Sequence, residues 1–203
     1  MDFEAINRLR LKEAFGEFEL FQQISKDEDW LDKLFECDTR GQLFVYDDAD
    51  VGHVVYVNDT KGLGRDKVFG LVNKNHKDVF LWHIDGVIYE KTSKCDCAVI
   101  TTDEMEFIEF KTNASNSSQE AIFDNYHKAS EQLQKIVKDV KERCTKVGVT
   151  LTSVIPVEAH AVFNPTVPSD NAMKKNISAK FLIRTGVKLS FDNMKELKVS
   201  VQK

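Results

Sequence analysis

The chain has 203 residues, of which 42% are hydrophobic and 30% charged, and its net charge is −5. This composition is typical of one globular domain that is long enough to bury its own core. No apolar run approaches the roughly 20 residues of a transmembrane helix, and the charged N-terminus is unlike a signal peptide. We therefore expect a cytoplasmic protein with no membrane partner.

Cysteines and histidines give no sign of a zinc-finger type of site. The four cysteines are Cys37, Cys95, Cys97 and Cys144. They form no CxxC pair, which favours buried thiols in a reducing compartment over zinc ligands or disulfides. The five histidines are scattered along the chain without ligand spacing.

Charge is distributed unevenly along the chain. Residues 1–60 contain 15 acidic and 6 basic residues, a net charge of −9, whereas residues 164–203 carry a net charge of +5. The basic C-terminal part fits either a solvated tail or a local surface for phosphate groups.

Residues 1–41 are predicted to be helical. Apolar residues at helical spacing indicate one helix over 3–23. A capping box of Ser25 and Glu28 opens a second, shorter helix that runs to Phe35.

Residues 42–84 are predicted to form a β-rich elaboration with antiparallel strands. The β-rich runs, separated by turn residues, are Leu43–Tyr46, His53–Val57, Val68–Val72 and Val79–Ile84. We interpret the acidic stretch Asp47 to Asp50 as a turn and Lys61–Arg65 as a loop.

The centre of the chain, residues 85–157, is organised around a predicted β-hairpin. Two β-rich runs, Cys97–Ile100 and Met105–Phe110, flank a short polar turn. A regular hairpin centred between Thr102 and Asp103 makes paired residue numbers sum to 205. Asp96 then lies opposite Glu109 on one face, together with Lys111.

Two adjacent carboxylates and an ammonium group at one end of an apolar hairpin favour a cation site. Neighbouring carboxylates resist joint ionisation unless positive charge lies between them, and Mg²⁺ binds through one or two carboxylates plus waters and substrate oxygens. The alternative is a structural ion pair of Lys111 with Glu109 or Asp96.

A long amphipathic helix follows a polar loop and should pack on the hairpin. It begins at a capping box of Ser117 and Glu120 and ends before Gly148. We predict a strand over Val149–Val157, parallel to part of the hairpin. Residues 158–203 are expected to add a loop and closing strands, which are Lys180–Thr185, Val187–Phe191 and Leu197–Val201.

The order Asp96, then Glu109-Phe110-Lys111 after an apolar strand, then an amphipathic helix resembles the PD-(D/E)XK nuclease superfamily. The resemblance covers about a third of the chain and departs from the motif at Cys95, where the family has proline. It implies an α/β fold, with a restriction-endonuclease-like mixed central sheet flanked by helices. It also implies Mg²⁺, or Mn²⁺, bound by Asp96 and Glu109, with Lys111 acting on the attacking water.

The same resemblance implies a nucleic-acid substrate, with DNA favoured over RNA. Gln132 in the long helix, together with Lys174 and Lys175 in the basic part, are candidate substrate-binding residues. A third acidic metal ligand could come from Glu13, Glu17, Asp85 or Glu90. The oligomeric state stays open, a homodimer included. The alternatives are an inactive binding or assembly protein on the same fold, and an unrelated α/β protein.

Overall fold

The computed structural model describes residues 4–16, 30–85, 95–111, 118–165 and 171–198. The helices are α1 (Glu4–Arg8), α2 (Leu11–Phe15), α3 (Trp30–Leu34), α4 (Gln119–Lys146), α5 (Leu151–Val154) and α6 (Asn171–Thr185). The strands are β1 (Phe35–Asp38), β2 (Gln42–Asp48), β3 (His53–Val57), β4 (Val68–Val72), β5 (Val79–His83), β6 (Cys97–Ile100), β7 (Met105–Phe110), β8 (Val157–Val162), β9 (Lys188–Ser190) and β10 (Met194–Glu196). The fold is mixed α/β, with two mixed sheets flanked by helices.

The larger sheet has six strands in the order β1-β5-β6-β7-β8-β9. The hairpin of β6 and β7 lies at its centre with the predicted register, since Ile100 pairs with Met105 and Ala98 with Phe107. Strand β8 runs parallel to β7, and β9 runs parallel to β8. Every residue of β6 and β7 is buried, as expected for strands covered on both faces.

Helix α4 covers one face of this sheet because its apolar residues recur at helical spacing. Tyr126, Leu133 and Val140 are fully buried in the same cluster as Ala98 and Phe107 of the hairpin. The helix begins one residue later than predicted, because the Ser118 side chain accepts a hydrogen bond from the Ala121 N–H. It ends as predicted, with Gly148 at a φ of 81° that favours glycine.

The smaller sheet covers the other face of the larger one. Its strand order is β10-β4-β2-β3, and its inner residues share a second buried cluster with Cys97, Val99 and Ile108 of the hairpin. The section 42–84 was predicted to be a single antiparallel unit. Instead β5 joins the larger sheet, and the C-terminal strand β10 pairs parallel to β4.

Five further element predictions are wrong. Phe35, predicted to end the second helix, begins strand β1. In the predicted strand Leu197–Val201, Leu197 and Lys198 lie outside any strand because β10 ends at Glu196, and residues 199–201 are outside the described ranges. The single N-terminal helix is two short helices, separated where Arg10 adopts a left-handed φ of 49°. Val149–Val157 is a helical turn followed by the start of β8. Lys180–Thr185 is the end of helix α6 and not a strand. The predicted capping residues Ser25, Glu28 and Ser117 lie outside the described residues. No helix in the described ranges has both the length and the apolar character needed to cross a membrane.

Candidate functional site

The candidate site lies at the edge of the larger sheet formed by the strand ends, where β6 begins and β7 ends and where the predicted acidic residues meet. Asp96 immediately precedes β6, and Glu109 lies near the end of the antiparallel partner β7. Asp96 lies two residues before Ala98, and Glu109 lies two residues after Phe107. Because residues two apart in a strand point to the same face, both carboxylates belong to the face that α4 covers. The fold thus brings Asp96, Glu109 and Lys111 together, as the hairpin register predicts.

Asp96 is partly buried and held by the backbone of the neighbouring strand. Its Oδ2 atom accepts a hydrogen bond of 2.6 Å from the Phe110 N–H. Burial raises the pKa of Asp96 from 3.8 to about 7, against the effects of this hydrogen bond and of the Lys111 charge. The cost of ionising Asp96 is therefore high unless a further positive charge is nearby.

Glu109 is almost completely buried, with only 2% of its surface exposed. Its Oε1 atom accepts a hydrogen bond from Lys111, whereas Oε2 has no hydrogen-bond partner among the described residues. Burial, followed by the charge of Asp96, raises the pKa of Glu109 well above its usual range. A buried carboxylate oxygen without a partner is costly, and this atom is available to a cation.

Lys111 connects the acidic pair to helix α4. Its ammonium donates hydrogen bonds to Glu109 and to the side-chain oxygen of Gln132. The Lys111 backbone N–H donates to the Val162 carbonyl at 2.9 Å, which extends the parallel ladder of β7 and β8. The lysine is therefore fixed at both its backbone and its tip, and Gln132, a candidate substrate-binding residue, is the helix residue that contacts it.

Two further aspartates lie close enough to influence the pair electrostatically. Asp85 follows β5, its N–H donates to the Asp96 carbonyl at 3.2 Å, and its charge raises the pKa values of both Asp96 and Glu109. Asp47, at the end of β2, also raises the pKa of Asp96. The sequence predicts a turn at Asp47, but Asp47 belongs to strand β2, which ends near Asp96. Asp48 does act as the turn residue, accepting the Asp50 N–H at 2.9 Å.

The structure describes two of the four candidates for a third acidic ligand. Asp85 is at the site, whereas Glu13 forms an exposed ion pair with Arg10. Glu17 and Glu90 lie outside the described residues.

Lys174 and Lys175 lie at the same edge of the sheet as the acidic pair, because the parallel strands β7, β8 and β9 all end there. Both lysines line a surface pocket together with Phe191 and Asp192, the two residues that follow β9. The Lys174 ammonium lies 5.2 Å from the centre of the Tyr126 ring and 5.6 Å from that of Phe191. Burial lowers the pKa of Lys174.

Part of the basic C-terminal section is structural and not a solvated tail. The Lys195 ammonium lies 2.8 Å from Glu158, 3.3 Å from Glu106 and 3.6 Å from Glu104. Glu106 in turn contacts the His160 Nε2 atom at 2.7 Å. This lysine places a positive charge beside the buried carboxylates between the sheets, although Glu104 Oε2, Glu106 Oε1 and His160 Nδ1 have no hydrogen-bond partner among the described residues.

The donor set of Asp96 and Glu109 fits Mg²⁺ or Mn²⁺. Hard divalent cations prefer carboxylate oxygens, one of which lacks a protein partner here. Asp96, Glu109, Asp85 and Asp47 together carry more negative charge than Lys111 alone offsets. A divalent cation between the two carboxylates would supply the missing charge.

Comparison with known proteins identifies no relative. No protein-family model matches the chain, and neither the curated proteins nor the solved structures contain a match. The functional argument therefore depends on the site geometry and on the motif.

Proposed function

We propose that this protein is a metal-dependent nuclease that hydrolyses phosphodiester bonds in nucleic acid. The observation that carries the proposal is the joint position of Asp96, Glu109 and Lys111 at one sheet edge, with a buried Glu109 oxygen that lacks a protein partner. Lys111 donates to only one oxygen of the Glu109 carboxylate, so the other oxygen is available to a cation.

In this proposal Asp96 and Glu109 hold Mg²⁺ or Mn²⁺, which when bound polarises the phosphoryl oxygens and acidifies water. The backbone N–H of Phe110 orients the Asp96 carboxylate toward Glu109. Because the metal-free carboxylates have raised pKa values, they release protons when the cation binds.

In this proposal Lys111 acts on the attacking water. Glu109 and Gln132 hold its ammonium group from two sides, so the charge is directed without reorganisation during the reaction. In hydrolysis the water oxygen forms a bond to phosphorus, and the bond from phosphorus to the leaving oxygen breaks. Lys111 would orient that water and stabilise the negative charge that develops on the phosphoryl group.

Lys174 and Lys175 supply a place for the substrate backbone at the same edge. Fixed lysine charges bind phosphates without reading sequence. Phe191 beside Lys174 is only partly buried and offers aromatic surface of the kind that stacks on unpaired bases. DNA remains the substrate that we favour over RNA.

The test is a cleavage assay on double-stranded DNA, single-stranded DNA and RNA, with Mg²⁺ or Mn²⁺. We expect wild-type cleavage that EDTA abolishes, and a loss of at least about 100-fold in Lys111→Met, the range for removing one electrostatic contact to a transition state. Lys77→Met is the matched control. Lys77 also pairs with an acidic residue, Asp103, and its side chain is 14% exposed against 16% for Lys111.

Equal cleavage by wild type and Lys111→Met would exclude this mechanism. Metal binding without cleavage of any of these substrates would instead favour the second candidate, an inactive binding protein on the same fold. In such a protein the Lys111–Glu109 ion pair would serve as a structural contact.

A further inference from the structure

A second group of metal-ligating side chains lies between the two sheets, on the face of the larger sheet opposite to Asp96 and Glu109. It consists of Glu36 on β1, His53 on β3 and His83 on β5, each of which offers one ligand atom within 4.8 Å of the others. Strands β1 and β5 are neighbours in the larger sheet, whereas β3 belongs to the smaller one. The three residues are distant in sequence and meet only in the folded protein.

The contacts within this group have the dimensions of a metal site. The His83 Nε2 atom lies 3.3 Å from the Glu36 Oε1 atom. Ligand atoms of a tetrahedral zinc ion, each about 2.1 Å from the metal, are about 3.4 Å apart. The rings of His53 and His83 meet edge to face, with their centres 4.9 Å apart. Little movement is needed for all three side chains to bind one ion.

His83 is the buried member of the group, with only 6% of its surface exposed. Its Nε2 atom is the ring nitrogen beside Glu36 and is therefore the atom that would bind an ion there. Its Nδ1 atom, on the other side of the ring, has no hydrogen-bond partner among the described residues. The assignment of a metal to this group therefore depends on the positions of the three ligand atoms.

Access and charge are also suitable. The Glu36 side chain is 38% exposed, so the group can be reached from solvent. The Tyr56 N–H, at 3.4 Å from the Glu36 Oε2 atom, helps to orient the carboxylate from β3. In the acidic cluster around Lys195 an ammonium group lies among the carboxylates, whereas the described contacts of the Glu36 group include no lysine or arginine.

We propose that Glu36, His53 and His83 form a binding site for a borderline transition-metal ion of the zinc class. Two imidazoles and one carboxylate are a donor set that zinc takes in proteins, with a fourth position left for water. The ion joins β1 and β5 of the larger sheet to β3 of the smaller sheet and so stabilises their packing. This site is separate from the proposed Mg²⁺ site, whose oxygen ligands suit a harder cation.

The test is a titration of the metal-free full-length protein with Co²⁺, followed by visible absorption, and then displacement of Co²⁺ by Zn²⁺. We expect a four-coordinate Co²⁺ spectrum at one equivalent, displacement by Zn²⁺, and no displacement by millimolar Mg²⁺. A rise in the melting temperature with Zn²⁺ is expected too, because an ion that binds only the folded state stabilises it.

Four variants test the assignment. His53→Gln and His83→Gln should each weaken Co²⁺ binding at least about tenfold, the lower end of the effect of disturbing even the outer partners of a metal. His127→Gln, which changes an exposed histidine of α4, should bind as the wild type does. Asp96→Asn should also bind Co²⁺ unchanged, which separates this site from the proposed catalytic one.

The wild-type titration decides the matter even if a variant fails to fold. Lack of a Co²⁺ spectrum, or a spectrum that His53→Gln leaves intact while circular dichroism shows a folded protein, would overturn the proposal. Loss of Co²⁺ binding in Asp96→Asn, with both histidine variants unaffected, would do so as well. Failure of the nuclease assay would leave the proposal untouched.

Discussion

Replacing Asp96 by asparagine should stabilise the metal-free protein at pH 8. The pKa of Asp96 is raised from 3.8 to about 7 by burial, and each pH unit between these values corresponds to about 1.4 kcal/mol. The ionised carboxylate thus costs the fold at most about 4 kcal/mol. Because Asp96 is only partly buried, solvent screening reduces this figure, and we expect a gain of roughly 2 kcal/mol in the variant.

The sign of the pH dependence follows from the direction of the shift. The folded-state pKa of Asp96 is the higher one, so the folded protein binds more protons than the unfolded chain between about pH 4 and pH 7. Wild-type stability should fall as the pH rises through this window and then level off. Asparagine does not titrate and keeps the Phe110 N–H bonded through its oxygen, so the advantage of the variant should grow over the same window.

Urea denaturation of the EDTA-treated protein, repeated from pH 4.5 to pH 8, measures both quantities. Addition of Mg²⁺ should reverse the order. Wild type gains about 2.7 kcal/mol when the cation is at a hundredfold its Kd, which exceeds the advantage of roughly 2 kcal/mol expected for the metal-free variant, and Asp96→Asn gains nothing. Asp103→Asn is the control, and it should lower the free energy of unfolding, because it weakens the ion pair between Asp103 and Lys77. Parallel pH profiles for wild type and Asp96→Asn would refute the reasoning.

Three other variants test separate parts of the structure. Gln132→Ala removes one of the two hydrogen-bond partners of the Lys111 ammonium group; if the protein is the proposed nuclease, we expect about a tenfold lower kcat and unchanged Mn²⁺ affinity by calorimetry. Lys195→Met removes the lysine from the buried carboxylate of Glu106 and one of the two lysines near Glu104, which should cost about 3 kcal/mol in urea denaturation at pH 8 and less at pH 5, because burial raises the pKa of Glu104. Leu133→Ala opens a cavity between α4 and the hairpin; it should lower the unfolding free energy by about 2–5 kcal/mol, and a loss below 1 kcal/mol would contradict the packing of α4 on this face.

The central hairpin was predictable because local rules determine it. The short polar turn fixes the register. Both strands have apolar residues at odd and at even positions, and therefore on both faces, so both faces must be buried. Pairing of Ala98 with Phe107 therefore followed from the sequence, as did the proximity of Asp96 and Glu109. The bounds of β3 and β4 also agree with the predicted runs.

The C-terminal elements were mispredicted where short apolar runs are ambiguous between strand and helix. In the segment Lys180–Thr185 the decisive signal is the four-residue spacing of Ile177, Phe181 and Thr185, which form the buried side of α6. In Val149–Val157 the decisive residue is Pro156, because Ile155 before it is extended, with φ −141° and ψ 151°. The strand therefore begins at Val157.

Residues joined only by tertiary structure could not be found from the sequence. Asp47 reaches the candidate site because β2 of the smaller sheet ends near Asp96. His53 and His83 are separated by thirty residues along the chain, and only the packing of β3 against β5 brings their rings into contact. Neither relation has a local pattern that sequence reasoning could detect.

The central claim is that the carboxylates of Asp96 and Glu109 hold one divalent cation. The most direct measurement is an anomalous difference map from a crystal of the full-length protein soaked in Mn²⁺. The account predicts a peak in contact with both carboxylates, on the side of the unpartnered Glu109 Oε2 atom, which disappears in Asp96→Asn. A map without density between these two side chains, from a crystal in which Mn²⁺ is bound elsewhere, would contradict it.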